Sequence, residues 1–146
     1  MPPSSYGKKN VAMLIREASY TDEDMLLSDF LDSARSAGVK VEISGELPPD
    51  KKQTALCLMA AVECLVNGVR HADAKTLYIT ARETENEISI TYENDGALPN
   101  GDIVEGGGLS SLRQRATRLG GSMVVKSTPR FSLIITLPKE GGNQNG

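Results

Sequence analysis

The chain has one histidine, two cysteines and no Cys-x-x-Cys pair in 146 residues, so no zinc-ligand set can be assembled at the usual spacing. Long apolar runs are missing as well. Ala60-Ala61-Val62 and Leu133-Ile134-Ile135 fall far short of the roughly 20 residues that span a bilayer, and no direct membrane contact is expected. The opening Met1-Pro-Pro-Ser-Ser-Tyr6 lacks the basic start and apolar centre of a secretory signal, so the chain is expected to stay in the cytoplasm, where it is made. Basic charge is not in excess: 16 Lys and Arg against 19 Asp and Glu leave a net charge of −3. A nucleic-acid-binding face, which needs clustered cations, is therefore not expected, whereas a local anion site is compatible with that balance.

What is present is enough apolar material, 39% of residues, for one domain with a modest two-layer core. Residues 1–20 read as a linker or the remnant of an upstream helix. Residues 21–139 read as the domain and 140–146 as a polar, glycine-rich tail. Within the domain, Thr21-Asp-Glu-Asp24 predicts a helix start and Gly38 its end, with Leu26, Leu27, Phe30, Leu31 and Ala34 as the apolar stripe. Val39 to Ile43 alternates as a half-buried strand does. The longest helix runs from Asp50, the expected N-cap, to about Arg70. Cys57 and Cys64 lie on it about 10 Å apart along the axis, too far for an unstrained disulfide, and read as small packing residues in a reducing compartment.

Two strands, 76–82 and 87–93, follow as a hairpin, with Ile88, Ile90 and Tyr92 on one face. A polar, glycine-rich stretch from Asn94 to Gly108 leads into a helix carrying Leu109, Leu112, Ala116 and Leu119 on one side and ending at Gly120-Gly121. A second hairpin, 123–127 with 131–137, turns at Thr128-Pro129-Arg130. Two hairpins and non-alternating helices predict an α+β fold, an α/β sandwich whose mixed, mostly antiparallel sheet carries helices on one face.

Three places carry candidate chemistry. Glu63 and Asn67 are four residues apart, with Arg70 and His71 three and four beyond Asn67, so all four share one side of the long helix. Magnesium favours oxygen ligands such as the Asn67 carbonyl, Arg70 can fork onto phosphate oxygens, and Glu63 could orient or deprotonate a water or hydroxyl. Spacing alone fits an exposed polar helix edge equally well. Asn94-Asp95-Gly96 closes a strand and also reads as a simple turn; parity puts Asn94, rather than Asp95, on the face of Ile88, Ile90 and Tyr92. Gly106-Gly107-Gly108-Leu109 opens a helix, where free amides and the positive dipole end can hold phosphate, or where glycines act as a hinge.

The string Glu63-Cys-Leu-Val-Asn67-Gly-Val-Arg70-His71-Ala72-Asp73-Ala74 resembles the N-box of histidine kinases in the GHKL superfamily, and the order of elements from Leu27 to Pro138 is similar too. The resemblance implies a Bergerat-type ATP-binding domain in which Asn67 ligates Mg²⁺, Glu63 sits beside it, and Arg70 and His71 lie near the phosphates. Glu93-Asn94-Asp95-Gly96 resembles the first glycine box, where a carboxylate reads the adenine amino group, and Gly106 to Leu109 resembles the second. Three positions depart from the pattern: Asn94 brings a neutral amide, Leu98 replaces a glycine, and Arg130-Phe131 replaces a Gly-x-Gly-Thr turn. In step with Leu133, Ile135 and Leu137, Phe131 reads as a core residue. Ala97 to Glu105 would form a short lid.

With His71 already placed in the N-box, no phosphoacceptor histidine remains, and the expectation is an excised catalytic domain. By resemblance it would bind ATP and Mg²⁺, donate the γ-phosphate to a histidine on an upstream dimerisation domain, and serve a response regulator through a parent protein that could be membrane-anchored. Two other readings stay open: a degenerate interaction module that binds nucleotide weakly, and a serine kinase of the anti-sigma-factor type.

Overall fold

The computed structural model describes residues 26–69, 74–96, 107–126 and 131–139. Arg70, His71, Leu98, Gly106, the expected lid and the turn at 128–130 lie outside the described residues, as do both termini.

The first helix, α1, spans Leu27–Ser36. Its cap is Leu26, extended at φ −101° and ψ 153°, whose N–H donates to the Asp29 carboxylate at 3.3 Å, five residues after the expected Thr21, which lies outside the described residues. Phe30 and Ala34 are buried, whereas Leu26 and Leu27 stay exposed, which narrows the predicted stripe. Gly38, at φ 78°, takes the left-handed conformation that ends the helix and turns the chain into β1, Lys40–Ser44.

The long helix α2, Lys51–Asn67, starts where its sequence dictates, with the Asp50 carboxylate accepting from Gln53 N at 3.0 Å. It is buried from Ala55 through Val66, including both cysteines, because it lies between the sheet and the other helices. Strands β2, Thr76–Glu83, and β3, Glu87–Asn94, form the expected hairpin. Thr84 closes its turn: Thr84 N donates to the Glu87 carbonyl and Glu87 N to Thr84 Oγ1. Helix α3, Gly107–Arg118, begins on its glycines, and β4, Ser122–Lys126, with β5, Ser132–Pro138, completes the second antiparallel pair.

The five described strands make one sheet in the order β1-β2-β3-β5-β4. Only β1 and β2 pair in parallel, and α2 is the crossover between them. This is an α+β fold with a mixed sheet, as the alternation of apolar residues implies. Leu77 and Ile79, then Ile88, Ile90 and Tyr92, then Leu133, Ile135 and Leu137, with Met123, all point into the core that the helices cover. The opposite parity carries Thr80, Ser89, Thr91 and Thr136, which are half-buried. Phe131 packs partly buried against the core.

Two long-range polar contacts fix α2 on the sheet. The Tyr92 hydroxyl, fully buried, donates to the Cys57 carbonyl at 2.7 Å, and Gln53 Nε2 donates to the Pro138 carbonyl at 2.7 Å. On the other side, Arg113 Nη1 donates to the Met123 carbonyl at 2.6 Å and holds α3 to β4. Burial raises the Cys57 thiol to about 12, against a smaller lowering by the Tyr92 hydroxyl, and it raises Cys64 further. Both are free thiols with no tendency to ionise near neutral pH, in keeping with a packing role.

Candidate functional site

The ends of α2 and β3 and the start of α3 converge. Glu63 is the clearest case: it is 7% exposed and its carboxylate packs on the backbone of Gly108 in the first turn of α3. A Cβ on Gly108 would stand 2.7 Å from Glu63 Oε2 and closer still to Cδ and Oε1, so any larger residue there would force the Glu63 carboxylate aside. A carboxylate at this place meets the positive end of the helix dipole, worth roughly 0.3–1 kcal/mol and up to about 2 when partly buried. Asn67, four residues after Glu63 and on the same helix face, is half-buried at the last residue of α2.

Beyond Asn67 the backbone loosens into a π turn at Gly68 and Val69, a departure common at functional sites. Gly68 has ordinary helical angles, φ −62° and ψ −43°, so conformation does not require glycine. Its surroundings favour it. A Cβ there would lie 3.2 Å from Ala74 Cβ and 3.6 Å from Asn94 Nδ2, which brings the end of α2 against the end of β3.

Asn94 lies on the buried face of β3, 7% exposed, and its Oδ1 accepts from Gly96 N at 2.8 Å, forming a local turn that leads the chain out of the strand. Asp95 faces the other way and is exposed. Its Oδ1 accepts from Thr76 N at 2.9 Å and Lys75 N at 2.8 Å, and these two backbone donors hold its carboxyl below the usual carboxylate range. Leu109 is buried in the core, so any ligand contact from it falls to its backbone amide.

No family model matches the chain. It is 31% identical over 78 residues to the signal transduction histidine-protein kinase/phosphatase UhpB of Salmonella typhimurium, covering 53% of this chain and 16% of that protein. To the sensor histidine kinase YxjM of Bacillus subtilis it is 29% identical over 90 residues, covering 62% of this chain and 21% of that protein. Among solved structures, the histidine kinase domain of a blue-light activated histidine kinase from Erythrobacter litoralis shares the fold at a TM-score of 0.62 and 15% identity, covering 90% of this chain and 62% of that one. The ATP binding domain of PrrB from Mycobacterium tuberculosis does so at 0.57 and 20% identity, covering 80% of this chain and 96% of that domain. This chain is related in sequence to histidine kinases and shares the fold of the PrrB ATP binding domain. It spans about a fifth of the length of the curated relatives it matches.

In this histidine-kinase-related domain, Glu63, Asn67, Asn94, Asp95, Gly96, Gly107, Gly108 and Leu109 are described; Glu63 meets Gly108 and Gly68 meets Asn94, so the end of α2 touches both α3 and β3, and the others lie on or next to those elements. Asp95 is the exception among them, since its carboxylate turns to the start of β2. Sequence reasoning named Gly108 but not the reason for glycine there, and it missed Gly68 altogether. The demand for glycine at Gly108 comes from Glu63, and Gly68 is a contact to Asn94; both depend on residues far away in sequence. Among the described residues, no group of three or more His, Cys, Asp or Glu side chains is placed to hold a metal alone. Likewise, no described helix is long and apolar enough to cross a membrane.

Proposed function

We propose that this domain binds ATP with Mg²⁺ and serves as the catalytic part of a sensor histidine kinase. It would present the γ-phosphate to a histidine on a dimerisation domain outside this chain, whence the phosphoryl group passes to a response regulator. The observation that carries the reading is the meeting of Glu63 with Gly108 and of Gly68 with Asn94, which gathers three stretches scattered in sequence around the end of α2. Phosphoryl transfer of this kind asks the protein mainly for positioning and charge neutralisation.

The residues divide the work by chemistry. The Asn67 amide oxygen would ligate Mg²⁺, and the amides of Gly107, Gly108 and Leu109 at the α3 terminus would receive phosphate oxygens. Arg70, His71 and Gly106 would stand on the same phosphate side. Glu63, beside Asn67, would orient the acceptor or a water. Asn94, with Gly96 behind it, would take the adenine amino group. The bound metal ion would neutralise charge on the phosphates.

One observation favours a second reading, a domain that keeps the fold but binds nucleotide weakly. Asn94 is a neutral amide whose oxygen already accepts from Gly96 N, and the Asp95 carboxylate is engaged by Lys75 and Thr76. Titration with a fluorescent ATP analogue separates the two. Saturable binding that needs Mg²⁺ and drops at least about tenfold in Asn67→Ala, equivalent to roughly 1.4 kcal/mol, is expected of the kinase domain. No saturation at millimolar analogue would sink it.

A further inference from the structure

We propose that the base site at the end of β3 accepts a 6-oxopurine, guanine or hypoxanthine, at least as readily as adenine, and that Asn94 sets this selectivity. The inference rests on the nucleotide-binding reading above and deepens it by naming the class of base.

The orientation of one amide supplies the argument. Gly96 N–H can bond only to an acceptor, so its 2.8 Å contact fixes which end of the Asn94 side chain is Oδ1 and which is Nδ2. With Oδ1 turned to Gly96, Nδ2 is the end left to meet a ligand, and among the described residues it makes no hydrogen bond. Gly68 keeps space in front of it: a Cβ there would lie 3.6 Å from Nδ2 and 3.9 Å from Cγ. Asn94 is 7% exposed, where a donor without an acceptor costs more than it does in water.

A carboxylate in this place would offer a second acceptor where Nδ2 stands, suited to the 6-amino group of adenine and repelling the oxygen of a 6-oxopurine. The amide reverses the direction of that hydrogen bond. Nδ2 donates and the O6 of guanine or hypoxanthine accepts, whereas the amino group of adenine sets donor against donor. Adenine can then be held only by the second lone pair of an oxygen already bonded to Gly96. Asp95 does not restore the carboxylate, because it lies on the exposed side and its Oδ1 accepts from Lys75 N and Thr76 N.

The test displaces trinitrophenyl-ATP, in Mg²⁺, with ATP, with ITP and with the triphosphate of unsubstituted purine riboside, for wild type and Asn94→Asp, with circular dichroism to verify folding. ITP is the probe because it differs from ATP only around position 6 and lacks the 2-amino group of guanine. With wild type, ITP should displace the analogue at least as well as ATP does, and about fivefold better than the unsubstituted purine. Asn94→Asp should move the ratio of ITP to ATP affinity about tenfold toward ATP. ATP outcompeting ITP on wild type, or a ratio that a folded Asn94→Asp leaves unchanged, overturns the inference while nucleotide binding stands. Should the Asp variant fail to fold, the unsubstituted purine decides on wild type alone, and its equality with ITP overturns the inference too. Wild type that binds no analogue at millimolar concentration overturns the nucleotide reading along with it.

Discussion

The two ends of the candidate site use polar side chains in opposite ways. At one end, Glu63 on α2 is pressed against Gly108 on α3, so the arrangement exists only when two helices distant in sequence pack together. At the other, Asn94 bonds to Gly96 two residues on, and Asp95 bonds to the amides that open β2. The first end is made by tertiary packing. The second is made by turn chemistry, which ties its acceptors to the protein's own backbone before any ligand arrives. A site can therefore be firm where phosphate would sit and compromised where a base would sit, with no contradiction in the fold.

The largest expected effect breaks the first end. Alanine normally gains about 1 kcal/mol over glycine within a helix, but Gly108→Ala puts a methyl group into the Glu63 carboxylate. Overpacking of this kind costs about 1–3 kcal/mol, so urea unfolding should show a net loss, and analogue binding should weaken with it. An unchanged or raised midpoint would mean that the Glu63 carboxylate swings aside at little cost and does not hold the two helices together.

Asn94→Asp sharpens the contrast from the other end. It returns a carboxylate to the adenine side, and since charge-assisted bonds are roughly twice as strong as neutral ones, affinity for the ATP analogue should rise about fivefold, near 1 kcal/mol. A fall in affinity would show that the amide, not a carboxylate, suits this pocket. Tyr92→Phe lies beneath both ends. It removes the buried bond to the Cys57 carbonyl and should lower stability by about 1 kcal/mol while leaving the ratio of affinities in Mg²⁺ and EDTA unchanged.

The smallest effect concerns Asp95. Its carboxyl is depressed by the Thr76 and Lys75 amides, so its folded value lies below its unfolded one. The stabilisation is thus present above the ordinary carboxylate value and disappears as pH falls through the lower, folded one. Wild type should exceed Asp95→Asn slightly in stability at neutral pH, and the two should converge in acid. A gap that persists below the folded value would assign it to something other than this ionisation.

How far the sequence revealed this depends on the range of the interaction involved. Asp50 as a cap and the alternation through Ile88, Ile90 and Tyr92 are local, and both read correctly. The strand parity that set Asn94 inward and Asp95 outward is local too. The start of α1 was misplaced because Thr21-Asp-Glu-Asp24 matches a capping pattern, whereas the bond from Leu26 N to Asp29 makes the later position the cap. The parallel pairing of β1 with β2 leaves no mark in either strand's pattern. Neither does the reason for glycine at Gly68 or Gly108, since a glycine that avoids a distant side chain looks the same as one that permits a turn.

The crossover position of α2 has a consequence for how this domain opens. Because β1 can lie beside β2 only if α2 spans the gap, the strand edge and the helix bearing Glu63 and Asn67 form one cooperative unit. In amide hydrogen exchange, β1 and the last turns of α2 should lose protection together. The polar cluster then cannot loosen by fraying at its own helix end alone: its lifetime is that of the parallel seam between β1 and β2.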